Sequence, residues 1–156
     1  MKDAGLTAQL QALRALFDRV DAACGDDMEM RAHWAKYLCV LAAGFLEIAL
    51  IEVYSYYCNK GANKAVASFA RRNLERIQNP KSSRFVEITA FFSKEWGDNL
   101  RQFVDDKGRK EAIDSIMTNR HMIAHGKRSD ITLVRAKEYL IKSIEVVEFI
   151  EAQCRP

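Results

Sequence analysis

Residues 118–127 read TNRHMIAHGK, which sets one arginine and two histidines within six positions and follows them with a glycine. Imidazole titrates near neutrality and can carry a proton to or from an oxygen, whereas a guanidinium stays charged and can hold two phosphate oxygens at once. An acid–base histidine beside a fixed cation suits phosphodiester cleavage. In that chemistry His125 moves a proton on or off an attacking or leaving oxygen, and Arg120 stabilises the charge at phosphorus. A structural reading competes with it: a histidine at a helix C-terminus can simply face the helix dipole, and an arginine on an inner face can simply pair with a glutamate.

Other routes to chemistry are poorly supplied. His121 and His125 have the i, i+4 spacing of a zinc half-site, but the glutamate of HExxH is missing and His33 is the only other histidine. No cysteine spacing completes a ligand set, so neither a metal nor a cofactor is expected. The chain has no glycine-rich phosphate loop and no G-x-S-x-G elbow, and no cysteine adjoins a histidine; Cys39 or Cys58 as nucleophile would be arbitrary.

For Arg120, His121 and His125 to act together, a helix must carry them. At helical spacing Ile113, Ile116, Met117, Ile123 and Ala124 form one apolar stripe, and Arg120 falls close to its centre. That is an odd place for a cation, because an unpaired charge on a core face is costly; it needs a partner or a shared surface. His125 lies about 140° around and about 7.5 Å further along, at an open end. His121 sits between them in angle, so the three can border one polar notch.

The remaining segments also read as helices. Leu6, Leu10, Leu13, Phe17 and Val20 make an amphipathic first helix that ends near Cys24 and Gly25. A long helix over 28–58, apolar on most sides, should be the hub of a bundle. Further helices are expected over 62–77, over 84–104 with a weak point at Gly97, over 107–125, and over 133–152 behind Thr132 as N-cap. In the last, Val134, Tyr139, Leu140, Ile144, Val147 and Ile150 should pack inward while Glu145, Glu148 and Glu151 stay in water. No segment alternates with the period of a strand. The expected class is all-α: an up-and-down four-helix bundle in a single domain, 1–156, with a peripheral amino-terminal helix in 1–27 and additional short helices.

Composition agrees with an ordered globular chain: 156 residues, 49% hydrophobic and 29% charged, with two prolines and seven glycines. Cys24, Cys39, Cys58 and Cys154 are far apart and unpaired in sequence, and the amino terminus lacks the apolar run of a signal peptide, so a reduced cytoplasmic setting is expected. Residues 37–57 are long enough to span a membrane. Glu47 and Glu52 inside them would each cost a few kcal/mol in lipid, which favours a buried central helix and no membrane. Between 60 and 128 fifteen Lys or Arg stand against eight Asp or Glu, a local net of +7 in a chain of net +3. A basic middle suits a polyanionic partner, although solvated helix faces would look the same.

The arginine, a polar residue, three further residues, a histidine and then glycine, in the penultimate helix of a small all-α protein, resemble the Rx4-6H signature of the HEPN superfamily. The chain looks closest to its RiboL-PSP-HEPN group, which the long FLEIAL helix and the threonine-led last helix also suggest. The resemblance covers about 31–151. It implies a helical homodimer whose two protomers build one cleft. It also implies metal-independent endoribonuclease chemistry, a nuclease (hydrolase) in which the 2′-hydroxyl attacks the adjacent phosphate, in the manner of a toxin or defence effector with an antitoxin or immunity protein as a further partner. Arg120 and His125 take the family's catalytic places. Asn119 and His121 would support them, and Glu47, or equally Glu52, is a candidate to orient the arginine or a histidine. A tyrosine common two residues after the histidine in toxins paired with a nucleotidyltransferase is here Lys127, which with Arg128 could contact the RNA backbone. The alternative is a non-catalytic HEPN-like module that binds RNA, a nucleotide or a protein.

Overall fold

The computed structural model describes residues 3–155, among which there are seven helices and no strand. They are α1 (Ala4–Cys24), α2 (Met28–Gly61), α3 (Lys64–Leu74), α4 (Ser82–Phe92), α5 (Lys94–Asp105), α6 (Arg109–Ala124) and α7 (Leu133–Gln153). The all-α class is as expected. Five of the helices start where a short polar side chain can take up an orphan amide. Asp3, Asp27, Asn63, Ser93 and Thr132 each accept from the backbone N–H three residues on.

α2 is the hub, touching α1, α3, α6 and α7. Its Leu38, Leu46, Leu50 and Tyr54 are sealed from solvent, as are Ile113, Ile116 and Met117 of α6 and Leu140 and Ile144 of α7. α1 lays Leu6, Leu10, Leu13, Phe17 and Val20 against α2 and α7. Among the described residues α2 is the one helix long and apolar enough to cross a membrane, but 61% of that stretch is buried inside the bundle. Its two carboxylates are occupied: Glu52 by Arg71 at 2.7 Å and Glu47 by the backbone N–H of Asn79 at 2.6 Å.

Several local expectations are corrected. The single helix over 84–104 breaks at Ser93, whose extended backbone (φ −157°, ψ 127°) ends α4 and whose hydroxyl caps α5. Gly97 is not the weak point. A Cβ on it would lie 2.6 Å from Ala90 Cβ and 2.9 Å from Ala90 Cα, so the missing side chain is what lets α5 fold back closely on α4. α3 is shorter than 62–77, and α6 starts later than 107 because Lys107 takes a positive φ of 56°. Val134 is not a core contact; it is 67% exposed. Glu145 is not simply solvated, since it accepts from Arg109 Nε at 2.7 Å, and Arg109 is itself buried over the Phe103 ring.

Candidate active site

α6 packs against both α2 and α7, and tertiary hydrogen bonds to α2 and α4 hold it there. Cys39 Sγ of α2 donates to the Ile116 carbonyl at 3.6 Å, and Asp114 accepts the Ser82 N–H at 2.7 Å, a partner that α4 lacks in its own N-cap, Lys81. The inner face of α6 is therefore fixed up to Met117. Beyond it the stripe opens toward solvent: Arg120 and Ile123 are half-buried, and Ala124 is exposed.

The last turn of α6 ends in a Schellman arrangement. Gly126 N–H donates to the Ile123 carbonyl at 3.1 Å and Lys127 N–H to the Met122 carbonyl at 2.8 Å, with Gly126 at φ 65°, a conformation that suits glycine. This stop leaves His125 as the C-cap, exposed at the rim. His121, one turn earlier, brings its ring to 4.4 Å from the His125 ring, centroid to centroid, tilted by 57°. Among the described residues no third His, Cys, Asp or Glu joins them in a metal-binding group.

Arg120 makes no hydrogen bond or ion pair among the described residues. The pairing expected from Glu47 does not form: Glu47 is drawn to the Asn79 turn, where Asn79 sits at φ 48° and turns its N–H to the carboxylate. Glu52 is taken by Arg71, which also holds Glu75 at 2.9 Å. The guanidinium thus has no acceptor among the described residues. That removes the internal ion pair on which the purely structural reading of Arg120 rested.

Asn119 has a definite positional role. Its Nδ2 donates to the Ser115 carbonyl at 2.8 Å, and its Oδ1 accepts from the Ser129 hydroxyl at 2.7 Å. Ser129 is buried, so this bond pins the 127–131 segment back onto α6. Sequence reasoning missed Ser129; a lone serine in a polar turn carries no signal until the turn's path is known. Lys127 and Arg128 stand exposed beside the histidines, with Arg128 held to Asp130 at 2.9 Å.

The cysteines are poor nucleophile candidates. Cys39 is fully buried, and burial pushes its thiol up to about 12; burial raises Cys58 as well. At the α6 terminus, by contrast, an arginine with no partner among the described residues precedes two exposed imidazoles in ring contact. A family model described as RiboL-PSP-HEPN matches residues 8–155. Searches of curated proteins and of solved structures gave no match.

Proposed function

From membership of the RiboL-PSP-HEPN family, to which the chain belongs over nearly its whole length, we propose that it is a metal-independent endoribonuclease acting at a site shared by two protomers. The observation that carries the reading is Arg120, half-buried on an apolar stripe yet without a partner of its own, one residue before the His121–His125 pair. A second copy placed against that stripe would cover the apolar atoms and leave two arginines and two His125 side chains lining one cleft.

In such a cleft the 2′-hydroxyl attacks the adjacent phosphorus, the bond to the 5′ oxygen breaks, and a 2′,3′-cyclic phosphate and a free 5′-hydroxyl result. One imidazole takes the 2′ proton while another gives a proton to the departing oxygen, and Arg120 neutralises the extra charge on the phosphoryl oxygens. His121 packs against His125 and limits its rotation; Asn119, through Ser129, holds the turn that carries Lys127 and Arg128 near the RNA backbone. The resemblance extends the proposal to a cytoplasmic toxin or defence effector restrained by an antitoxin or immunity protein.

The test is cleavage of structured RNA by purified protein in EDTA. Wild type should cut, and His125→Ala and Arg120→Ala should each lose about 10²-fold or more in rate. Equal cleavage by wild type and His125→Ala would defeat the proposal. RNA binding without products would favour the non-catalytic module.

A further inference from the structure

The basic charge of the chain does not sit on α6. Residues 60–84 hold seven Lys or Arg and one acid, Glu75, whereas 85–128 hold eight Lys or Arg against seven Asp or Glu. The groove along α6 is lined by Asp105, Glu111 and Asp114 against the one cation Lys110, a net negative lining that disfavours a polyanion there. The cationic face belongs to α3 and the turns on either side of it.

On α3 the buried Ala67 and Leu74 face α2. On the opposite side Phe69, Arg72 and Arg76 follow one another at i, i+3 and i+7, with Arg76 in the turn that closes the helix. Phe69 is 71% exposed. Arg72, Arg76 and Lys64 have no hydrogen-bond or ion-pair partner among the described residues, unlike the inward Arg71. At the helix entry Lys60 lies 4.7 Å over the half-exposed Tyr56 ring. Leaving a phenylalanine in water forgoes the gain of burial, and nothing in the fold needs it there. An exposed aromatic flanked by unpaired cations is what a single strand of RNA requires: a ring for an unstacked base and guanidinium groups for the phosphates beside it.

We infer that the outer face of α3, built on Phe69, Arg72 and Arg76, is a second RNA-binding surface that holds single-stranded RNA outside the cleavage site. This rests on the proposed RNA chemistry but on different residues. Cys39 of α2 marks the level of Ile116 and Glu52 the level of Arg71, about 20 Å apart along α2, so the α3 face is set well away from that part of α6. The face therefore acts on long RNA and not on very short oligomers.

The measurement is fluorescence anisotropy of a labelled, unstructured 20-nucleotide RNA at several salt concentrations, made in His125→Ala protein so that the probe stays intact. Circular dichroism confirms the helical content of each variant. Adding Arg72→Gln with Arg76→Gln should raise Kd about tenfold and make the dependence of log Kd on log salt shallower by about 1.4, two phosphate contacts on a single strand. Phe69→Ala should raise Kd by about fivefold or more. Unchanged Kd and salt slope in both variants would overturn the inference, even if wild type cleaves RNA. Binding to phosphatidylserine vesicles that the arginine variants abolish, with RNA binding intact, would also overturn it and assign the face to a lipid surface. If wild type does not cleave but the α3 variants weaken binding, the nuclease proposal fails and this one stands.

Discussion

Arg120 is the residue whose meaning changed most between chain and structure. An arginine at the centre of an apolar stripe can be neutralised from within, and Glu47 and Glu52 were the carboxylates in reach by sequence. Both are engaged elsewhere, Glu47 by a backbone N–H and Glu52 by Arg71. With no internal partner to lose, Arg120→Met should leave the folded protomer as stable as wild type, or raise its thermal midpoint, because methionine suits both the helix and the stripe. The same change should abolish cleavage. Calorimetry beside the EDTA assay separates these outcomes; a large drop in midpoint would mean that Arg120 is structural after all. His125 was readable because glycine marks the helix stop, and the stop fixes which residue becomes the rim.

The helices were legible from caps and periodicity wherever each was an independent amphipathic unit. Thr132 caps α7 as its position before an apolar run suggests, and α1 buries the five residues its spacing selects. The 84–104 segment misled because glycine lowers helix propensity, so Gly97 drew attention away from Ser93. Only the fold shows that α5 turns back on α4 and that Ala90 occupies the space a side chain at 97 would need. Gly97→Ala should therefore destabilise by about 1–3 kcal/mol through overpacking, against the small gain expected for Gly→Ala in an exposed helix. Urea unfolding of the single variant decides the sign. α4 presents a comparable case: its first N–H is met by Asp114, 32 residues away, a cap that no local pattern announces.

For the molecule as a whole, burial of thiols has a consequence for pH. Burial drives Cys39 and Cys154 from 9.0 up to about 12, and raises Cys58 and Tyr54 in the same direction. The native state then keeps protons that the unfolded chain has already released, so stability is fully present below pH 9 and falls as pH rises toward 12. Cys39, which is sealed from solvent, contributes at most about 1.4 kcal/mol per pH unit in that window. Urea midpoints at rising alkaline pH should decline in wild type and decline less in Cys39→Ala; identical slopes would clear Cys39 of the effect. Assembly is the second prediction. A cleft built from two α6 termini requires a dimer, so sedimentation at micromolar concentration should give about twice the protomer mass of 17.8 kDa. A monomer that still cleaves RNA would show that one protomer suffices.

Sequence alone determined the all-α class, the central helix and the helix stop that leaves His125 exposed, because these depend on contacts within a few positions: periodicity, capping and the left-handed turn at Gly126. Tertiary structure alone decided which charges are spent and which are free. Glu47 goes to Asn79, Glu52 to Arg71 and Asn119 to Ser129, while Arg72 and Arg76 are left without partners among the described residues, since each pairing depends on where segments ten to thirty-two residues apart come to rest. Local spacing can name a cation; only the packed chain shows whether it still has donors to offer a phosphate.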